Sequence, residues 1–218
     1  MVKVGEFNFL KIDREVDFGV YLDDDGGDGI LLPKRFVPKG AKPGDEVKVF
    51  VYHDSEDRLI ATTQEPKGKV GDIVRLKTVS VTRQGAFLDN GLMKDLFVPK
   101  SKQLNQMYPG EFYLVRVYID ERTGRLAATE KIQPFLSNDR LTVNEMDAVH
   151  LTVYRKTEIG YEVIINNVHT GILHFNEVFR DINTGDSFEG FIKKIYPGNK
   201  IDVVAGKAGY QRIEGEAG

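Results

Sequence analysis

Apolar and polar residues alternate in short runs along most of the chain. Val74-Arg75-Leu76-Lys77-Thr78-Val79-Ser80-Val81 changes character at nearly every step. That is the period of a strand with one face in a core and one in water. Gln84-Gly85-Ala86-Phe87-Leu88 predicts a second strand, with a glycine where a bulge would bend it. The turn residues Asp89-Asn90-Gly91 follow, and a third strand is predicted at Asp95-Leu96-Phe97-Val98-Pro99. A fourth covers Tyr113 to Ile119, and a turn at 121–124 leads into a fifth over Arg125 to Ala128.

This unit occurs more than once. At an offset of 66 residues Gly19 falls on Gly85, Lys11 on Lys77, Asp23 on Asp89, and Pro33-Lys34 on Pro99-Lys100. Pro43-Gly44, Tyr52 and Asp54 fall on Pro109-Gly110, Tyr118 and Asp120, after which one added residue brings Arg58-Leu59 onto Arg125-Leu126. A more diverged third copy places Gly85 on Gly160 and Gly110-Glu111 on Gly185-Asp186. A unit of roughly 60 residues is too long for a solenoid repeat and suits a small closed domain. Five short strands, a bent second strand and a long third connection describe an oligonucleotide-binding (OB) barrel. The expected fold is therefore all-β, three tandem five-stranded OB barrels. They are placed at 1–66, 70–133 and 145–207, with a linker at 134–144 and a tail at 208–218.

Composition narrows the chemistry. Formal charge is −3, so no global basic field draws in a polyanion, and any nucleic acid must be held by local faces and stacking. With no cysteine, disulfides, thiolate nucleophiles and cysteine-held metals are excluded. Charge interrupts every short apolar run of Met1 to Val20, which is unlike a secretory signal. No stretch is long and apolar enough for a spanning helix, so a cytoplasmic protein is expected, without a membrane partner.

An OB barrel commonly binds oligomers across its second and third strands. Single-stranded RNA requires flat faces for bases and donors for phosphates and sugars. The candidates are Phe18 and Tyr21 around Gly19, Phe87 after Gly85, and His174 at the end of Gly171-Ile172-Leu173-His174. Lys11 and Lys77 recur on the first strand, and Asp54 with Arg58 and Asp120 with Arg125 flank the last hairpin. An arginine there could take a phosphate while the carboxylate steadies it. Phe97, Phe175 and Tyr161 are assigned to the core.

These residues resemble the RNA-binding repeat of ribosomal protein S-one. Its pattern of aromatics around a glycine, then Gly-Leu-Leu-His, then Gly-Asp and an Asp…Arg hairpin is met in part by Phe18-Gly19-Val20-Tyr21, Gln84-Gly85-Ala86-Phe87, Gly171-Ile172-Leu173-His174 and Gly44-Asp45. The whole chain is similar to the bacterial conserved virulence factor B family, through Leu31-Leu32-Pro33-Lys34, Lys94-Asp95-Leu96-Phe97-Val98-Pro99, Arg125-Leu126-Ala127-Ala128 and His174-Phe175-Asn176-Glu177-Val178-Phe179. The resemblance implies an RNA-binding regulator whose three repeats precede a C-terminal winged helix. With the sequence ending at Gly218, that last domain is expected to be absent. The histidine position is Leu32 in the first copy and Val98 in the second, and Glu162 replaces the second aromatic in the third. No copy carries a full site, so each barrel alone is expected to bind weakly, with avidity from their linkage.

Competing chemistry finds little support. Gly68-Lys69 and Gly206-Lys207 lack phosphate-loop spacing, and His53, His150, His169 and His174 lack a helical metal spacing. Asp23-Asp24-Asp25-Gly26-Gly27-Asp28 reads as a solvated turn rather than a calcium loop. No cofactor, metal, small-molecule substrate or catalytic set is expected. Two functions stand: a single-stranded RNA binder in post-transcriptional regulation, or a protein-interaction scaffold built from the same barrels.

Overall fold

A computed structural model describes residues 1–206, and the only helical elements among them are short 3-10 turns. The first repeat forms β1 (Phe7–Val16), β2 (Gly19–Leu22), β3 (Ile30–Pro33), β4 (Glu46–His53) and β5 (Leu59–Thr62), closed in the order β1-β2-β3-β5-β4. The second forms β6 (Ile73–Val81), β7 (Gly85–Leu88), β8 (Leu96–Pro99), β9 (Phe112–Ile119) and β10 (Leu126–Thr129). The third forms β11 (Ala148–Lys156), β12 (Gly160–Ile165), β13 (His169–His174), β14 (Ser187–Tyr196) and β15 (Lys200–Ala205). All three close with the same order, the third and fifth strands meeting in parallel. The chain is all-β, with three closed five-stranded barrels. The tail expected at 208–218 lies outside the described residues.

Alternation fills each interior. Ile12, Val20, Leu22, Ile30, Leu32, Val47, Val49 and Val51 form the first core. Val149, Leu151, Val153, Val163, Ile165, Leu173, Ile192 and Val203 form the third. Each such side chain removed from water contributes about 1.5–3 kcal/mol.

The bend expected at the repeat glycine lies in the preceding strand. Register slips between Ile12 and Arg14, between Thr78 and Ser80, and between Val153 and Arg155. The glycine has a different cause. A Cβ on Gly19, Gly85 or Gly160 would overlap the carbonyl oxygen of Leu32, Val98 or Leu173 on the neighbouring strand. The backbone of the third strand presses on this position, and only glycine leaves it room.

The described residues divide into two compact units: residues 1–72 with 76–130, and residues 73–75 with 131–206. Within the first unit, β4 is buried on both faces, with Phe50 and Tyr52 as covered as Val49 and Val51. Lys94 Nζ donates to the carbonyls of His53 and Asp54 at 3.2 Å each, and burial pushes the Lys94 ammonium down from its ordinary range. Asn90 is buried and clasps the join between the repeats, accepting from the Gly68 amide at 2.9 Å and donating to the Gly68 carbonyl at 3.0 Å. In the second unit, residues 134–144 do not run free. Val143 lies in the third core, and Asn138 donates to the carbonyls of Thr170 and Asn199 at 2.8 and 2.9 Å.

Candidate nucleic-acid interface

Register places one row of outward residues across each barrel. In the first, Arg14 of β1 opposes Tyr21 of β2, which opposes Leu31 of β3, which opposes Ile60 of β5. The same row is Ser80, Phe87, Phe97 and Ala127 in the second barrel. In the third it is Arg155, Glu162, Ile172 and Asp202. The predicted residues Tyr21 and Phe87 therefore hold one position, and its third occupant is Glu162.

On the first barrel, Phe18 stands at the turn into β2 with 57% of its surface exposed, its ring edge-on to Tyr21 at 6.3 Å. The Arg14 guanidinium lies 4.3 Å from the centre of the Tyr21 ring, an attraction of charge to π-face. Arg58 is tied to Asp54, Nε to Oδ2 at 3.1 Å, and to Glu56 at 2.8 Å. Although partial burial raises the Asp54 carboxyl, hydrogen bonds from the Arg58 backbone and guanidinium bring it below its ordinary range. Lys11 is exposed, and its carbonyl accepts the Asp23 amide at 2.9 Å, beyond the Tyr21 rung and away from Phe18. Lys77 repeats this arrangement with Asp89.

On the second barrel, Phe87 pairs with Phe97, their rings 5.1 Å apart and tilted by 34°. Phe97 therefore stands on the outer face, half-buried between inward Leu96 and Val98, rather than in the core. The second hairpin repeats the backbone bond of the first, the Asp120 amide donating to the Arg125 carbonyl at 2.9 Å, but not its side-chain pair. Asp120 accepts the Arg122 amide at 2.8 Å, while Arg125 turns to Asp57 of the first barrel, Nε to Oδ1 at 2.9 Å. That guanidinium holds the Asp57 carboxyl below its ordinary range.

The third barrel opens a cleft of about 710 Å³ on this face. His174, Asp202 and Tyr196 line it as a connected set. His174 Nε2 lies 3.0 Å from Asp202 Oδ1, and the Tyr196 hydroxyl donates to Asp202 Oδ2 at 3.0 Å. That bond pushes the Tyr196 phenol up from its ordinary range. Glu162 also lines the cleft and is paired with Arg155. Phe175 is 39% exposed, edge-on to Tyr161 at 5.5 Å, so it too stands outside the core, whereas Tyr161 packs against it.

Sequence reasoning missed Arg14, Phe97, Tyr196 and Asp202. Counting rungs outward from Tyr21 and Phe87 would have found Arg14 and Phe97. The repeat puts the last hairpin of the third copy at Tyr196 to Lys200 and Asp202 at the row position of Ile60 and Ala127, but neither residue type recurs in the other copies, so the repeat alone does not mark them as site residues.

Comparison with known proteins bears on the repeat and the fold. The S1 domain, the S-one-type repeat, matches residues 4–64 and 70–131, the first two barrels. The conserved virulence factor B of Staphylococcus epidermidis ATCC 12228 is 25% identical over 85% of the chain and 65% of its own length. The Bacillus subtilis protein YitL is 37% identical over 44% of the chain and 33% of its own length. The chain thus spans less than two thirds of these relatives. A Streptococcus pneumoniae multidomain protein with nucleic acid binding domains shares the fold, with a TM-score of 0.53 at 19% identity over 99% of this chain and 82% of that one. A face of recurring register, met by an S1-domain match over more than half the sequence, places the chain in the S1-domain family, with similarity to the conserved virulence factor B proteins.

Proposed function

We propose that this chain binds single-stranded RNA along the outer rows of its barrels and acts in post-transcriptional regulation in the cytoplasm, as a binding protein and not an enzyme. The exposed Phe18 beside Tyr21, with Arg14 over the Tyr21 ring, supports this most directly. An apolar ring left in water next to a cation on the barrel's binding face suits a base and its phosphate. Phe87 with Phe97 offers a second platform, and His174 with Tyr196 a third. The net charge of −3 implies that stacking carries much of the affinity.

Alanine variants test the assignment. Phe18→Ala, Tyr21→Ala and Phe87→Ala are each expected to weaken binding of a labelled RNA oligomer by about 1–3 kcal/mol, the usual worth of a stacked base. His174→Ala should weaken it less, because Tyr196 remains. Unchanged affinity in all four would overturn the site. Absence of any RNA binding at low salt, with one protein co-purifying, would favour the scaffold function instead.

A further inference from the structure

The third barrel differs in chemistry at the row where the first two carry aromatics. We infer that its cleft selects a guanine base from the bound strand, an inference that rests on the RNA-binding function proposed above.

Three features lead there. The cleft of about 710 Å³ lies within the size of pockets that enclose a small ligand, roughly 300–1,000 Å³. Its apolar lining comes from Leu136, Ile159, Ile172 and Ile201, and its flat faces are the His174 imidazole and the Tyr196 ring. Its charged groups are mainly acceptors. Glu162 and Asp202 have side chains only 17% and 18% exposed, and both line the cleft. Asp202 is held at each oxygen by a different partner, His174 and Tyr196, and Arg155 holds Glu162. Both carboxylates are thus fixed before a ligand arrives, which lowers the entropy lost on binding.

A fixed carboxylate discriminates among bases by their edges. Guanine alone presents two adjacent donors, N1–H and the N2 amino group, which a carboxylate accepts together. Adenine and cytosine place a ring acceptor beside their amino donor, and uracil flanks its one donor with two acceptors. Each would set an acceptor against the carboxylate, which a partly buried site rejects. Phosphate is disfavoured for the same reason. Lys200 lines the cleft and is exposed, a position from which an ammonium meets the adjoining phosphate.

The test uses the full chain and labelled octamers of uridine carrying one central guanosine, inosine, adenosine or uridine, read by fluorescence anisotropy. The guanosine octamer is expected to bind at least fivefold tighter than the adenosine and uridine ones. Inosine, which lacks the N2 amino group, should fall between. Asp202→Asn and Glu162→Gln are each expected to reduce the ratio of guanosine to uridine octamer affinity at least threefold. Equal affinity for the guanosine and adenosine octamers in the unaltered protein would overturn the guanine site and leave RNA binding intact. Failure of every octamer to bind would overturn both.

Discussion

Thr78 sits in the second barrel where Ile12 sits in the first and Val153 in the third, facing inward beside the bulge. It is 1% exposed, and its hydroxyl has no hydrogen-bond partner among the described residues. A buried hydroxyl without a partner costs about 1–3 kcal/mol. Thr78→Val keeps the shape and removes that cost, so urea unfolding should show a gain of about 1 kcal/mol or more. Gly85 gives the opposite case. The Cβ of a Gly85→Ala variant would overlap the Val98 carbonyl, and the forced shift should lower stability by about 1–3 kcal/mol in the same assay. The need for glycine was legible in the repeat, but its reason was not. A bend and a neighbouring carbonyl demand the same residue, and only strand pairing separates them. Phe97 was misassigned because one aromatic among apolar neighbours carries no mark of direction, whereas its pairing with Phe87 turns it outward.

Strand positions and lengths followed from the alternating pattern, since period two fixes which side chains enter the barrel. Contacts between repeats did not follow. Arg125 lies at the position of Arg58, and the matching pattern called for a partner in its own hairpin. Its partner is Asp57, 68 positions away, in a hairpin where Asp57 adopts a φ of 65°. Such a pairing depends on how two barrels pack and leaves no local signature. The apolar run Val49-Phe50-Val51-Tyr52 was the available hint, because a strand covered on both faces loses its alternation. Asn90 looked like a turn residue, and it is also the clasp of the join at Gly68. Asn90→Ala would leave two backbone groups of that join without partners. Thermal unfolding should show a loss of about 1–3 kcal/mol, concentrated in the first unit. A loss of less than about 0.5 kcal/mol, the range of ordinary surface changes, would contradict that role.

At the scale of the whole molecule, one fold carries three different faces. The first barrel offers an exposed aromatic pair with a cation, the second a stacked phenylalanine pair, the third a carboxylate-lined cleft. Weak sites on one chain reinforce each other when a strand spans them, because the second contact is intramolecular. Affinity should therefore rise steeply with oligomer length and fall with salt in proportion to the phosphates engaged. The central claim is that these faces bind single-stranded RNA. Its most direct measurement is fluorescence anisotropy with oligo-A, oligo-U and a DNA strand of matching sequence at two salt concentrations. Binding to RNA that weakens at the higher salt and exceeds binding to DNA is the predicted result. No binding to either RNA at the lower salt would contradict the claim.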